Sequence, residues 1–206
     1  MNRGIFITFE GIEGSGKTTQ GRLLAQTLKN EGFKVFYTYE PGDTLAGRYI
    51  REILLNSEIK ITPLCELLLY FADRAQHIEE KIKPHLEAGF IVICDRFTDS
   101  TIVYQGYVRG ISIDLIEELN KKLFSQFIPD LTVLLDCSAS IGLGRNKKAN
   151  KKDRFEMETL SFHEKVREGY LELAKINKER FFVLDATESI NVIAEKIYKK
   201  VKSLII

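Results

Sequence analysis

Five short apolar runs alternate along the chain with longer stretches in which apolar residues recur every three to four positions. The runs begin at Ile5, Lys34, Phe90, Leu131 and Arg180, each five residues long, and their β-branched and aromatic content predicts β-strands over 5–9, 34–38, 90–94, 131–135 and 180–184. Between them the 3.6-residue period predicts helices over 17–31, closed by Gly32, over 44–56, and over 64–87 after Pro63, closed by Gly89. Further helical stretches start near Ser100 and at Ile113 and lead to Pro129, followed by 138–145, 156–178 and 190–204. The third and fourth runs are apolar without interruption, as in strands covered on both faces. Strands separated by helices call for right-handed crossovers, so the expected fold is α/β: a five-stranded parallel sheet with helices on both faces, in a single domain over 1–206. Ligands of such sheets bind beyond the carboxyl ends of the strands.

The residues after the first run carry the clearest chemistry. Gly11-Ile12-Glu13-Gly14-Ser15-Gly16-Lys17-Thr18 fits G-x-x-x-x-G-K-[ST] between a strand and a helix, the P-loop context of NTP hydrolase-like folds. Glycines let the loop turn backbone N–H groups inward, toward the positive end of the following helix. Lys17 then faces β/γ-phosphate charge, and the Thr18 hydroxyl suits Mg²⁺. The plainer alternative is a glycine-rich strand-to-helix turn.

Composition narrows the function less than the motif does. Lys plus Arg number 30 against 29 Asp plus Glu, net +1, so no basic surplus points to nucleic acid. Cys65, Cys94 and Cys137 lack C-x-x-C spacing and read as small buried hydrophobes in a reducing compartment. With no membrane-length apolar stretch and no signal-like start, a cytoplasmic location is expected. His77, His85 and His163 show no ligand spacing and read as surface or helix-face residues.

Residues just past the other strands complete the candidate site. Asp95-Arg96 pairs a carboxylate suited to Mg²⁺ or its waters with a guanidinium suited to a second phosphate; the alternative is an ordinary surface ion pair. Glu40-Pro41-Gly42 makes a turn in which Pro41 is either cis or trans, with Arg51 in the next helix. From Arg145 to Arg154 there are six positive charges and one negative. That run is either a solvated face or a lid, about 145–156, that brings charge to a transferring phosphoryl group. Asn150-Lys151-Lys152-Asp153 mimics the N-K-x-D guanine reader, but it follows no apolar strand and no D-x-x-G occurs, which argues against a GTP switch.

Phe9-Glu10 with the phosphate loop, Glu40-Pro41-Gly42, Asp95-Arg96-Phe97, Tyr104-Gln105-Gly106, Pro129-Asp130-Leu131-Thr132 and Asp185-Ala186-Thr187 come in an order and spacing that resembles the thymidylate kinase family, over essentially the whole chain. The resemblance implies transfer of the γ-phosphoryl group of ATP to dTMP, giving ADP and dTDP, with Mg²⁺ and as a homodimer. It implies a donor site of Gly11, Glu13, Gly14, Ser15, Gly16, Lys17, Thr18 and Thr19, with Arg145, Ala186 and Thr187 at the adenine. Lys17, Asp95, Arg96 and the lid residue Arg154 would serve the transfer, and Thr18 and Asp95 the metal. For the acceptor it implies Glu13 at the sugar 3′-hydroxyl, Glu40 and Pro41 in the turn, and Arg96 and Arg51 at the phosphate. Tyr70 or Phe71 would stack on thymine, with Arg74, Thr101 and Gln105 on the base edge and Tyr104 where a ribose 2′-hydroxyl would lie. Tyr39 replaces the family's common Arg, Asp43 a frequent Gly, and Tyr70 the commoner Phe. Two rivals remain: a kinase for another nucleoside or nucleoside monophosphate, and a non-catalytic nucleotide-sensing module.

Overall fold

A computed structural model describes residues 3–148, 154–155 and 157–205, apart from the side chains of residues 147 and 148. Five strands, β1 (Phe6–Glu10), β2 (Val35–Tyr39), β3 (Ile91–Asp95), β4 (Leu131–Asp136) and β5 (Phe181–Asp185), form one sheet in the order β2-β3-β1-β4-β5. Every pairing is parallel. Helix α1 (Lys17–Asn30) follows β1, and α2 (Leu45–Leu55) and α3 (Pro63–His77) follow β2. Then come α4 (Lys83–Glu87) before β3, α5 (Thr98–Thr101) and α6 (Ile113–Phe124) after it, α7 (Ala139–Lys148) and α8 (Leu160–Ile176) before β5, and α9 (Ile190–Ile205). Strands β1 and β3 are buried at every residue, as their apolar runs require. Because β1 lies between β3 and β4, the chain leaves it at the point where the strand order diverges, which opens a crevice at its carboxyl end.

Four of the five strands sit one residue later than the apolar runs, and β4 runs one residue past its own. The added residues are polar, but the ladder continues through them: Tyr39 and Phe9 pair with Asp95, Glu10 with Leu134, and Asp136 with Asp185. Four of the five strands thus end in a carboxylate at the carboxyl edge of the sheet. The expected helix over 64–87 is three pieces, with a π-helical segment at Ile78–Ile82 between α3 and α4. Pro84 lacks the N–H an α-helix needs there, and a widened turn accommodates its ring. A second π segment, Ile102–Val108, keeps five successive residues from Ile102 to Gly106 buried. No described helix is long and apolar enough to cross a membrane.

Candidate active site

The crevice holds a cavity of about 600 Å³. Its floor is the phosphate loop. Gly14 has φ 72 and Gly16 φ 101, conformations that L side chains rarely adopt. Gly14 also faces Gly142 of α7: a Cβ on either would lie 2.1 Å from Gly142 O or 2.3 Å from Glu13 O. This close approach sets Arg145, one helical turn on, across the loop, where Nη1 meets Gly14 O at 3.4 Å and Nη2 donates to Ala186 O at 2.9 Å. With Glu188, Ile190 and Ile193 these residues form one end of the cavity.

Lys17 bends back so that Nζ donates to Gly11 O (3.0 Å) and Ile12 O (2.7 Å). Burial, then the neighbouring Arg96, bring its ammonium down to about 8. Thr18 Oγ1 donates to Asp95 Oδ2. A hydroxyl and a carboxylate, both hard oxygen donors beside a phosphate loop, fit Mg²⁺.

Arg96 occupies the middle of the cavity wall and has φ 70, an unusual backbone for a non-glycine residue. Nη2 donates to Glu13 Oε1 at 2.8 Å and to Tyr104 Oη at 3.2 Å, and Nη1 to Ser100 Oγ and Tyr170 Oη at 3.1 and 3.0 Å. Buried Glu10 closes the network from behind, accepting from Phe97 N, Ser100 Oγ and Tyr170 Oη. Burial raises its carboxyl to about 7. Glu13 behaves in the opposite way. Burial pushes it up, but Arg96, the His163 hydrogen bond, Lys17 and Tyr104 together hold it well below the usual carboxylate range.

The far end is built on α3 and the second π segment. Arg74 is buried, with Nε on Glu40 Oε2 (2.9 Å) and Nη2 on Phe97 O (3.1 Å) and Thr101 Oγ1 (2.9 Å). The other oxygen of Glu40 faces His77 Nδ1 at 2.9 Å, and the cis Glu40–Pro41 turn is tied to α3 through Gly42 N and Asp73 Oδ1 (3.0 Å). Arg51 Nη1 donates to Pro41 O at 2.6 Å, and its guanidinium lies over the Tyr39 ring. A Cβ on Gly42 would meet Arg51 Cδ at 2.7 Å, so the turn needs glycine to let this arginine pack. The departing residue Asp43 accepts from Thr38 Oγ1 at 2.6 Å. Tyr70, Thr101, Tyr104 and Gln105 line the same end.

Most residues singled out in the sequence therefore converge on one cleft, and the exceptions have physical reasons. Phe71 is turned into the core against Phe124, ring centroids 5.6 Å apart, which leaves Tyr70 as the ring facing the cavity. Thr187 does not line it; its N–H and hydroxyl are taken by Asp185 Oδ1. Gly11 lies behind the loop, where its φ of 141 turns the chain. Arg154 is not at the phosphate loop. Its Nε donates to Leu54 O at 2.9 Å and its Nη2 to Glu66. The rest of the expected lid at 149–153 and 156, with Asn150 to Asp153, lies outside the described residues.

Of the two alternatives, surface or helix face, His77 on α3 and His163 on α8 take the second; both are fully buried, each with a carboxylate partner: Glu40, and Glu13 at 3.2 Å. His85 is the partly exposed one and stacks on Phe36. Cys65 is exposed, at the start of α3, while Cys94 and Cys137 are buried. The sequence patterns assign no role to Glu10, Ser100, His163 or Tyr170. Tyr170 and His163 lie on α8, far from any motif, and only tertiary packing brings them in.

The family profile described as Thymidylate kinase matches residues 9–197. A thymidylate kinase of Maridesulfovibrio salexigens is 48% identical over 98% of this chain and 95% of its own length. One of Geotalea daltonii is 50% identical over 91% and 92%. The solved thymidylate kinase of Ehrlichia chaffeensis superposes with a TM-score of 0.79 at 37% identity, over 97% of this chain and 99% of that one.

Proposed function

The chain belongs to the thymidylate kinase family and transfers the γ-phosphoryl group of ATP to dTMP, and we propose that both nucleotides meet in the cleft described above. The observation that carries this reading is the position of Arg96, bonded to Glu13 of the phosphate loop on one side and adjoining the pocket of Tyr70, Arg74 and Gln105 on the other. ATP lies with its phosphates in the loop and its base between Arg145 and Ala186. The monophosphate places its base against Tyr70 and Arg74, its 3′-hydroxyl at Glu13 and its phosphate at Arg96, with Arg51 nearby. Tyr104 fills the space beside the sugar. The acceptor phosphate dianion is already a competent nucleophile, so no general base is required. Lys17 and Arg96 hold donor and acceptor oxygens in line and offset charge on the moving group. Mg²⁺, held through Thr18 and Asp95, would neutralise phosphate charge. The contacts of Arg154 with Leu54 and Glu66 support a role at the acceptor end in place of the transferring phosphoryl. ADP and dTDP should form one to one and stop on EDTA addition; ADP without dTDP would contradict the reading.

A homodimer is supported by apolar stripes on neighbouring helices: Leu45 and Tyr49 on α2, 61% and 63% exposed, and Leu64 and Leu68 on α3, 55% and 54%. A second copy of the chain would cover them. Sedimentation should give a dimer that Leu68→Glu shifts toward monomer, and a wild-type monomer at micromolar concentration would remove the proposal.

A further inference from the structure

Glu66, on the first turn of α3, belongs to none of the motifs, yet it is 1% exposed. Its carboxylate gathers three donors from two separate segments, Gln105 and Arg109 on the second π segment and its cap, and Arg154 beyond α7. Oε1 accepts from Gln105 Nε2 at 2.8 Å and lies 3.5 Å from Arg109 Nε, while Oε2 is bonded to Arg154 Nη2. A carboxylate offers acceptors only, so the Gln105 amide has to turn its NH₂ group toward Glu66. Its carbonyl oxygen is then the polar atom left for the cavity that Gln105 lines. On the same wall stands Arg74. Two of its three nitrogens are engaged, and the third, Nη1, is buried without a hydrogen-bond partner among the described residues. The wall thus offers one donor and one acceptor of defined order.

We propose that Glu66 is a positioning residue that sets base specificity, locking the Gln105 amide so that the wall offers an acceptor beside the Arg74 donor. This rests on the reading that the acceptor base lies against Arg74 and Gln105. A pyrimidine-dione presents a ring N–H next to a carbonyl oxygen and matches both groups. An aminopyrimidine presents a ring nitrogen lone pair next to an amino group. It would set acceptor against acceptor and donor against donor, leaving buried polar atoms unpaired. Without an acceptor-only partner, Gln105 could rotate its amide and present NH₂ to the base, and the penalty on the aminopyrimidine at this atom would disappear.

The test compares kcat/KM for dTMP and dCMP in wild type, Glu66→Gln and Glu66→Met. Glutamine at 66 can donate as well as accept, and methionine offers no donor and only a weak acceptor. Both variants should narrow the dTMP-to-dCMP ratio by about tenfold. The change should fall on the KM values of the two monophosphates, with KM for ATP unchanged, a split that general loosening of the fold would not produce. An unchanged ratio in both variants overturns the proposal alone. Gln105→Met separates the two levels: if it leaves dTMP turnover intact, the base does not lie at this wall, and the site reading falls with the proposal. Should the Glu66 variants fail to fold, the wild-type complex with dTMP answers by NMR. A weak nuclear Overhauser contact between the thymine N3 proton and the Gln105 NH₂ pair is expected, because the carbonyl lies between them, and a strong one overturns the proposal.

Discussion

Arg96→Ala is expected to lower kcat for dTMP phosphorylation by about 10³-fold, the scale of removing a preorganised charge from a phosphoryl-transfer site. The loss should exceed any rise in KM for ATP, because the hydrogen bond that ties Arg96 to the loop runs to the side chain of Glu13 and not to the loop's backbone N–H groups. It also has a structural arm. Without the guanidinium, Glu13 loses its strongest stabilising charge, while Ser100 and Tyr170 retain each other (2.7 Å) and Glu10. Arg96→Lys separates these effects. A lysine restores a charge but cannot reach Glu13, Ser100 and Tyr170 with one rigid fork, so folding should recover more than turnover. Thermal melts beside ADP-coupled kinetics check this. Full turnover in Arg96→Lys would mean that charge alone, and not the fork, does the work.

Lys17→Met should likewise cost about 10³-fold in kcat/KM for ATP, but with Tm equal to or above wild type. Burial and Arg96 lower the Lys17 ammonium from an ordinary 10.5 to about 8. A lowered lysine value means the fold disfavours the proton, so the charged side chain destabilises the protein below about pH 8, and that penalty fades as pH rises. Removing the ammonium relieves it at neutral pH. The same shift gives wild type a pH profile: kcat/KM for ATP should fall as pH rises through about 8, since the free enzyme then loses the charge that meets the phosphates. The profile of kcat should be flatter, because bound phosphates favour the protonated form. A flat kcat/KM profile to pH 9, or a Tm several degrees lower in Lys17→Met, would assign this lysine a mainly structural role.

The sheet and the phosphate loop were legible because both rest on local signals, apolar period for one and glycine spacing for the other. The last residue of each strand was not. Glu10, Asp95, Asp136 and Asp185 look like loop residues by polarity, and only the neighbouring strand shows that their backbones still pair. The π segments were equally hidden, since a helix period cannot show that Thr101, Tyr104 and Gln105 all reach one cavity. Arg74 could be placed near the base from its position after Tyr70, but its partner Glu40 is 34 residues away. The partners of Arg154 were hidden for the same reason. A basic run signals available charge, whereas where one guanidinium settles depends on Glu66, 88 residues distant.

One cleft is expected both to select dTMP and to phosphorylate it. The most direct test is ADP release from ATP and Mg²⁺ with dTMP, dUMP, dCMP, the ribose form of TMP, and thymidine as separate acceptors. The highest kcat/KM is expected for dTMP, with dUMP reduced by only about tenfold for its missing methyl. A weak response is expected with dCMP and, if Tyr104 crowds the 2′-hydroxyl as proposed, with the ribose form, and none with thymidine, which has no phosphate to meet Arg96. Turnover of dCMP or thymidine that equals dTMP would remove the roles given to the base wall or to Arg96 respectively.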